Sequence, residues 1–401
     1  MRAFPLIFLL SAAGAALGAP SSVKRDGSVA VGWYANYHSS DFPLSSVSWS
    51  KYTTLNYFSV PTGDSGAITL SSDDQTLLPQ FVQQAHQNNV KAVLTIGGYS
   101  GSQFFSQDCA TDAGRTQFAQ SIMALVKQYS LDGIDFDWEF PGQQGASGNT
   151  ESPQDSANFL LFLQTLRQQD GASDITLSAA VSDTPFVDAN GAPLTDVSGF
   201  AKVFDYVEIM NYDAFGPAYT KVFGPNAPLD DSCAPSGDQR GSAKTAVGLW
   251  TGAGFPAGQL VLGVPAYGYG YTATQTQATG SASGTTIVPF GAYNGIAPGD
   301  TYGGADPSSG VYEFFGMVDS KFLNDDGSVA SGMVSTFDDC SQTPYVYDPS
   351  QQILVAYENA QSFEAKGSYV KSAGLKGFSI YEVAGDHNDI LLDAIRGGAG
   401  F

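Results

Sequence analysis

The stretch Leu131-Asp-Gly-Ile-Asp-Phe-Asp-Trp-Glu139 decides how this chain is read. It carries four carboxylates, Asp132, Asp135, Asp137 and Glu139, with Ile134, Phe136 and Trp138 between them. Side chains of a strand alternate between its faces. Asp135, Asp137 and Glu139 therefore share one face, and Ile134, Phe136 and Trp138 share the other. A solvated acidic edge strand is the plain alternative. The apolar flanking segments argue against it, because they imply a strand buried on both sides. Carboxylates crowded on a buried face repel one another and must be paired or protonated. The pattern thus predicts a closed site in which one carboxyl holds a proton near neutral pH.

Outward from this stretch, apolar runs and helical periods alternate. Runs at 29–34, 52–59 and 91–98 precede the acidic one, and runs at 175–181, 203–211, 259–266 and 375–381 follow it. Amphipathic segments lie between them; in 112–129, Phe118, Ile122, Leu125 and Val126 fall at helical spacing. Eight short strands alternating with helices predict an α/β fold, a (β/α)8 TIM barrel. A doubly wound open sheet is the rival, and it rarely needs eight strands. In a barrel the site lies at the C-terminal strand ends, where Glu139 stands last on its strand. About ninety residues between the seventh and eighth strands break the rhythm. The Ser/Thr/Gly/Ala-rich part at 272–284 reads as loop, 314–323 as helix, and 333–338, 344–347 and 353–357 as strands. A bare loop this long is improbable, so a small α+β insertion is expected. The expected organisation is barrel over 26–267, insertion over 268–357 and barrel again over 358–401.

The start of the chain reads as a secretory signal over 1–18: Arg2, an apolar run from Phe4 to Leu10, then Ala16-Leu17-Gly18. Lys24-Arg25 offers a processing site, so 19–25 reads as a propeptide and the protein as secreted and extracellular. No apolar run reaches membrane-spanning length. The net charge of −22, from 17 basic and 39 acidic residues, opposes nucleic acid and anionic membrane as partners and suits a neutral substrate. A monomer is expected. The three histidines, His38, His86 and His387, have no metal-ligand spacing, so neither metal nor cofactor is expected. Of Cys109, Cys233 and Cys340, the last two lie in long irregular segments that would share one side of the fold, and a Cys233–Cys340 disulfide is favoured. No N-glycosylation sequon occurs.

Asp132-x-x-Asp135-x-Asp137-x-Glu139, followed by Phe140-Pro141-Gly142, resembles the D-x-x-D-x-D-x-E signature of family-18 glycoside hydrolases, the chitinases. Three further motifs extend the resemblance over most of the chain. Thr95-Ile96-Gly97-Gly98 is similar to the family's S-x-G-G, with the hydroxyl kept. Met210-Asn211-Tyr212-Asp213 is similar to its M-x-Y-D. Gly377-Phe-Ser-Ile-Tyr-Glu382 stands where the family's last strand usually ends in Trp, here Tyr381. Tyr99, Ala218 and Tyr269 also stand at or near positions where members often carry Trp or Arg.

The resemblance implies chitin or chito-oligosaccharides as substrate, cut at β-1,4 linkages between N-acetylglucosamine units with retention. Glu139 would be general acid and then base. The substrate's acetamido oxygen would be the nucleophile, the known exception to a two-carboxylate scheme. Asp137 would orient the acetamido group, Asp135 would share a proton with Asp137, and Tyr212 would donate to the acetamido carbonyl. Thr95 would hydrogen-bond Asp135. Tyr34, Gly98, Tyr99, Met210, Asp213 and Tyr381 would contact sugar, Asp132 would be structural, and the insertion would wall a deep cleft. Two alternatives stay open on the same fold: an endo-β-N-acetylglucosaminidase acting on N-glycans, and a non-catalytic chitin-binding lectin. A metal-dependent hydrolase built on the acids is weaker.

Overall fold

The computed structural model describes residues 27–300, 302 and 307–401. The expected signal and propeptide segments lie outside the described residues. Eight parallel strands close into a barrel: β1 Val29–Ala35, β2 Thr54–Val60, β3 Lys91–Gly97, β4 Gly133–Asp137, β5 Thr176–Val181, β6 Val207–Ile209, β7 Leu260–Pro265 and, after the insertion, β14 Gly377–Tyr381. β14 pairs with both β1 and β7, so the last strand completes the ring.

The alternation in the acidic strand sorts its side chains between two cores. Phe136 points outward, and its ring meets Phe159 at 5.8 Å and Phe162 at 5.6 Å, on the helix Asp155–Arg167. Phe118, on the helix Asp112–Tyr129, stacks on Phe162 at 4.8 Å. Each such ring contributes about 1.5–3 kcal/mol by leaving water. The helix Asp112–Tyr129 starts where Thr111 Oγ1 accepts from the Gly114 amide at 3.1 Å, and ends at Ser130 in a left-handed conformation. Inside the ring, Val29, Val31, Tyr206 and Val261 form a small apolar plug. The acids of β4 project into the same interior.

The interval between β7 and β14 is a second, antiparallel sheet. Its strands are β8 Tyr267–Thr272, β9 Gly295–Ile296, β10 Val311–Glu313, β11 Val334–Asp338, β12 Thr343–Asp348 and β13 Ile353–Ala356. β8 is the hub, pairing with β9, β10 and β13. Tyr271, Tyr345, Tyr347 and Leu354 belong to the core of this sheet. β8, β9 and β10 go beyond the strands read from the sequence. The stretch 272–284, read as loop, contains a short helix, Gln275–Thr279, started by a capping box between Thr274 and Gln277. Cys233 and Cys340 form a disulfide with Cα atoms 6.3 Å apart, joining the segment after β6 to the turn between β11 and β12. Cys109 is a buried thiol.

Candidate active site

Strand register sets the environment of each acid. Asp135 lies level with Thr95 of β3 and Ser178 of β5. Thr95 Oγ1 donates to Asp135 Oδ2 at 2.9 Å, and Ser178 Oγ donates to Oδ1 at 2.8 Å. Trp33 Nε1 adds a third bond from across the barrel, 3.2 Å from Oδ2. One layer nearer the mouth, Asp137 lies level with Gly97 and Ala180, which offer no donors. Asp137 Oδ1 accordingly has no hydrogen-bond partner among the described residues. Gly97 could not be otherwise: with φ at +110°, a Cβ there would stand 2.2 Å from the Asp137 carbonyl oxygen.

Burial pushes the pKa of both aspartates up. Asp137 is pushed well up, because it lacks donors and faces Glu139, Asp135 and Glu208. Such a pair titrates as a unit. Glu139 stands two residues beyond Asp137, partly exposed in the cleft. Burial, and then the charge of Asp213, push its carboxyl up to about 7. A carboxyl near 7 can both give and take a proton at neutral pH.

Ser102 fixes the backbone here. Its Oγ lies 2.9 Å from the carbonyl oxygens of both Gly98 and Asp137, and 3.0 Å from the Glu139 amide, which donates to it. Glu208 of β6 lies fully buried behind Asp135 and accepts from Asn56 Nδ2 at 3.2 Å. Burial and the Asp135 charge push Glu208 well up.

The acids open into a cleft of about 1040 Å³. Tyr212, Asp213, Met210, Gly98, Tyr99 and Tyr381 all line it, as expected from the sequence. Burial, with the charge of Asp137 next, pushes the Tyr212 phenol well up, so it remains a donor. Asp213 Oδ1 accepts from Tyr267 Oη at 2.6 Å and Tyr269 Oη at 2.8 Å, both from β8 of the insertion. Glu139, Phe140, Met210, Tyr212, Asp213 and Tyr219 are shared with a second cavity of about 310 Å³ on the side of Asp183 and Arg240. Glu139 therefore sits at the junction of a large and a small binding space.

Tyr34 is a correction. It faces outward, packs against Tyr57 and Phe81, and donates to the Phe42 carbonyl at 3.0 Å. Its neighbour Trp33 faces inward and lines the cleft. Asp132 sits at the opposite end of the barrel, bonded to His86 Nε2 and the Ala92 amide, each at 2.8 Å. Sequence reasoning missed Trp33, Ser102, Ser178, Glu208 and Tyr37. Strand pairing carries the signal for Ser178, since it neighbours Asp135 once β4 and β5 are aligned. No local motif marks Tyr37.

The family model for glycosyl hydrolases family 18 matches residues 29–386. The chain belongs to that family. A chitinase-like effector of Moniliophthora roreri is 44% identical to this family-18 chain, over 99% of the chain and 98% of the relative. The solved structure of a chitinase from Rhizomucor miehei is 30% identical, with a TM-score of 0.81, covering 92% of this chain and all (100%) of the other. A Cycas revoluta family-18 chitinase solved in complex with (GlcNAc)3 shares the fold at 22% identity and a TM-score of 0.75, over 93% of this chain and 100% of that one.

Proposed function

We propose that this family-18 chain is a secreted chitinase that hydrolyses β-1,4 linkages between N-acetylglucosamine units, with retention and with the substrate's own acetamido group as nucleophile. The observation that carries the reading is the graded acid column of Asp135, Asp137 and Glu139. The first is held by three donors, the second is buried without one, and the third is poised at about 7 where the column meets the cleft.

In the first step Glu139 gives its proton to the glycosidic oxygen as the bond to C1 breaks. The acetamido carbonyl oxygen closes onto C1, and the positive charge passes to the acetamido nitrogen. Asp137 lies where it can hold that N–H and oppose the charge, with the shared proton moving towards Asp135. Tyr212 donates to the acetamido oxygen and aims it. In the second step water adds to C1 on the face the leaving group left as the bond from C1 to the acetamido oxygen breaks, and Glu139 takes the water's proton. The known binding of (GlcNAc)3 by the Cycas revoluta protein supports the substrate class. So do the exposed rings of Tyr37, Tyr99 and Tyr219, 53%, 61% and 51% accessible, which all line one cleft, as sugar-stacking surfaces would. The disulfide fits an oxidising compartment and supports secretion.

A second reading is chitin-oligosaccharide binding without cleavage. Two observations favour it: the M. roreri relative is described as a chitinase-like effector, and Tyr381 replaces the broader indole expected under the reacting sugar. Chito-oligosaccharide cleavage and binding by the wild type and by Glu139→Gln separate the two. The proposed function expects a wild type that cleaves and a variant that binds without cleaving. Binding by both with cleavage by neither contradicts it.

A further inference from the structure

Glu208 of β6 is a further carboxyl inside the barrel, out of reach of the substrate. Its exposure is 0%. Glu208 pairs with Ala180 of β5, and Ala180 pairs in turn with Asp137 of β4. One strand therefore separates Glu208 from the acid column. Two residues before Ala180, that strand carries Ser178, which is bonded to Asp135. Below this level Val31, Tyr206 and Val261 close the barrel interior.

The surroundings of Glu208 suit a proton better than a charge. Asn56 Nδ2 donates to Oε1 at 3.2 Å, while Oε2 has no hydrogen-bond partner among the described residues. The groups that act on the carboxyl most are Asp135, Asn56, Ser379 and Ser178, and none is a cation. A second unpaired charge beside Asp135 in this dry interior is costly. Asp135 has three donors and Glu208 has one, so the charge belongs with Asp135 and the proton with Glu208. Ser178 gives that proton a use. Its own hydrogen is committed to Asp135 Oδ1 at 2.8 Å, so its oxygen is left to accept.

We propose that Glu208 is a positioning residue for the hydrolysis, one that carries its own proton, donates it in a hydrogen bond to Ser178 Oγ, and through Ser178 holds Asp135 ready for the proton it shares with Asp137. The proposal rests on the hydrolase reading of the cleft, but the state of Glu208 can be read without turnover. The chain from Glu208 through Ser178 to Asp135 runs in one direction, and aligned hydrogen bonds strengthen one another. A neutral Glu208 also leaves the Asp135–Asp137 pair as the carrier of the negative charge that opposes the cation forming on the acetamido nitrogen. The titratable groups facing Glu208 are Asp135 and Asp137 of β4, Tyr206 on its own strand and Tyr212 beyond the end of that strand.

The first test is an infrared difference spectrum at neutral pH, wild type minus Glu208→Gln. It shows the carbonyl stretch of a protonated carboxyl, and a difference confined to carboxylate stretches overturns the proposal. The second test is kinetic. Glu208→Leu lowers kcat on a chito-oligosaccharide about three- to tenfold with KM unchanged, the scale of one hydrogen bond. Glu208→Gln, whose amide still donates, recovers most of that loss. In Ser178→Ala protein, Glu208→Leu costs nothing further, because the route through Ser178 is already gone. Losses that multiply in the double variant, a change in KM alone, or no loss in Glu208→Leu overturn the positioning role. So does a loss in Tyr206→Phe that replaces the one in Glu208→Leu, since the phenol would then be the donor to Ser178. Leucine is close in size and apolar, so the variant keeps its fold, as a thermal scan checks; the infrared test decides the protonation whether or not it does. A wild type that cleaves no chito-oligosaccharide overturns the hydrolase reading and the positioning role with it, while the infrared band still reports the proton on Glu208.

Discussion

Glu139 makes no side-chain hydrogen bond among the described residues, and burial with the Asp213 charge sets its proton affinity. The general acid must carry its proton, so kcat is expected to fall about tenfold per pH unit above about 7. A kcat–pH profile checks this, and a flat profile through that range would assign the acid elsewhere. Stability follows the opposite sign from an ordinary ion-paired carboxylate. The native state holds the proton to higher pH than the unfolded chain does, so Glu139 costs stability as pH rises from the ordinary carboxylate range through about 7. Glu139→Gln should therefore unfold at a higher temperature than wild type above neutrality and at nearly the same temperature in acid, as thermal scans at several pH values would show. At this scale the sequence was legible where chemistry concentrates in one motif. The order of the acids and the alternation within 131–139 placed Asp135, Asp137 and Glu139 together. Tyr34 and Trp33 were not separable, because β1 is apolar on both faces and its parity depends on contacts with distant strands.

Individual elements act through register. The flush alignment of Thr95, Asp135 and Ser178 supplies donors to one acid, and the alignment of Gly97, Asp137 and Ala180 withholds them from the next. Ser178→Ala removes one of three donors to Asp135. It should lower kcat about tenfold with little change in KM, the scale of one hydrogen bond to a charged group, as steady-state kinetics would report. Gly97→Ala should be far more damaging, since its Cβ would meet the Asp137 carbonyl oxygen at 2.2 Å. Such overlap forces β3 and β4 apart, so loss of soluble folded protein is expected, and a variant with wild-type unfolding would contradict the packing described. Strand existence was readable from apolar runs, because parallel barrel strands are buried on both faces. Register was not, because it is fixed by pairing between segments far apart in sequence. Ser102 was hidden for the same reason: its bonds to Asp137 and Glu139 join a loop to a strand end.

At the scale of the molecule, the insertion is part of the site. β8 reaches Asp213 through Tyr267 and Tyr269, and the disulfide ties the outer edge of the insertion to the segment after β6. That link closes a sequence separation of 107 residues. Chain-entropy reasoning puts its contribution at up to about 4–5 kcal/mol. Cys233→Ser with Cys340→Ser should therefore lower the unfolding temperature clearly in a non-reducing scan, and an unchanged temperature would show that the insertion is held by packing alone. The barrel was legible because its strands recur with intervening helices. The insertion was legible only in part, because β8 follows β7 almost without a break and its Tyr-Gly alternation carries no turn signal.

The most direct test of the central claim is the anomer first released from a chito-oligosaccharide, followed by proton NMR before mutarotation. A nucleophilic acetamido group aided by Asp137 and Tyr212, with Glu139 as acid and base, predicts a β-anomer that appears first and then decays to the equilibrium mixture. An α-anomer appearing first, or no product from a wild type that binds the sugar, would contradict it.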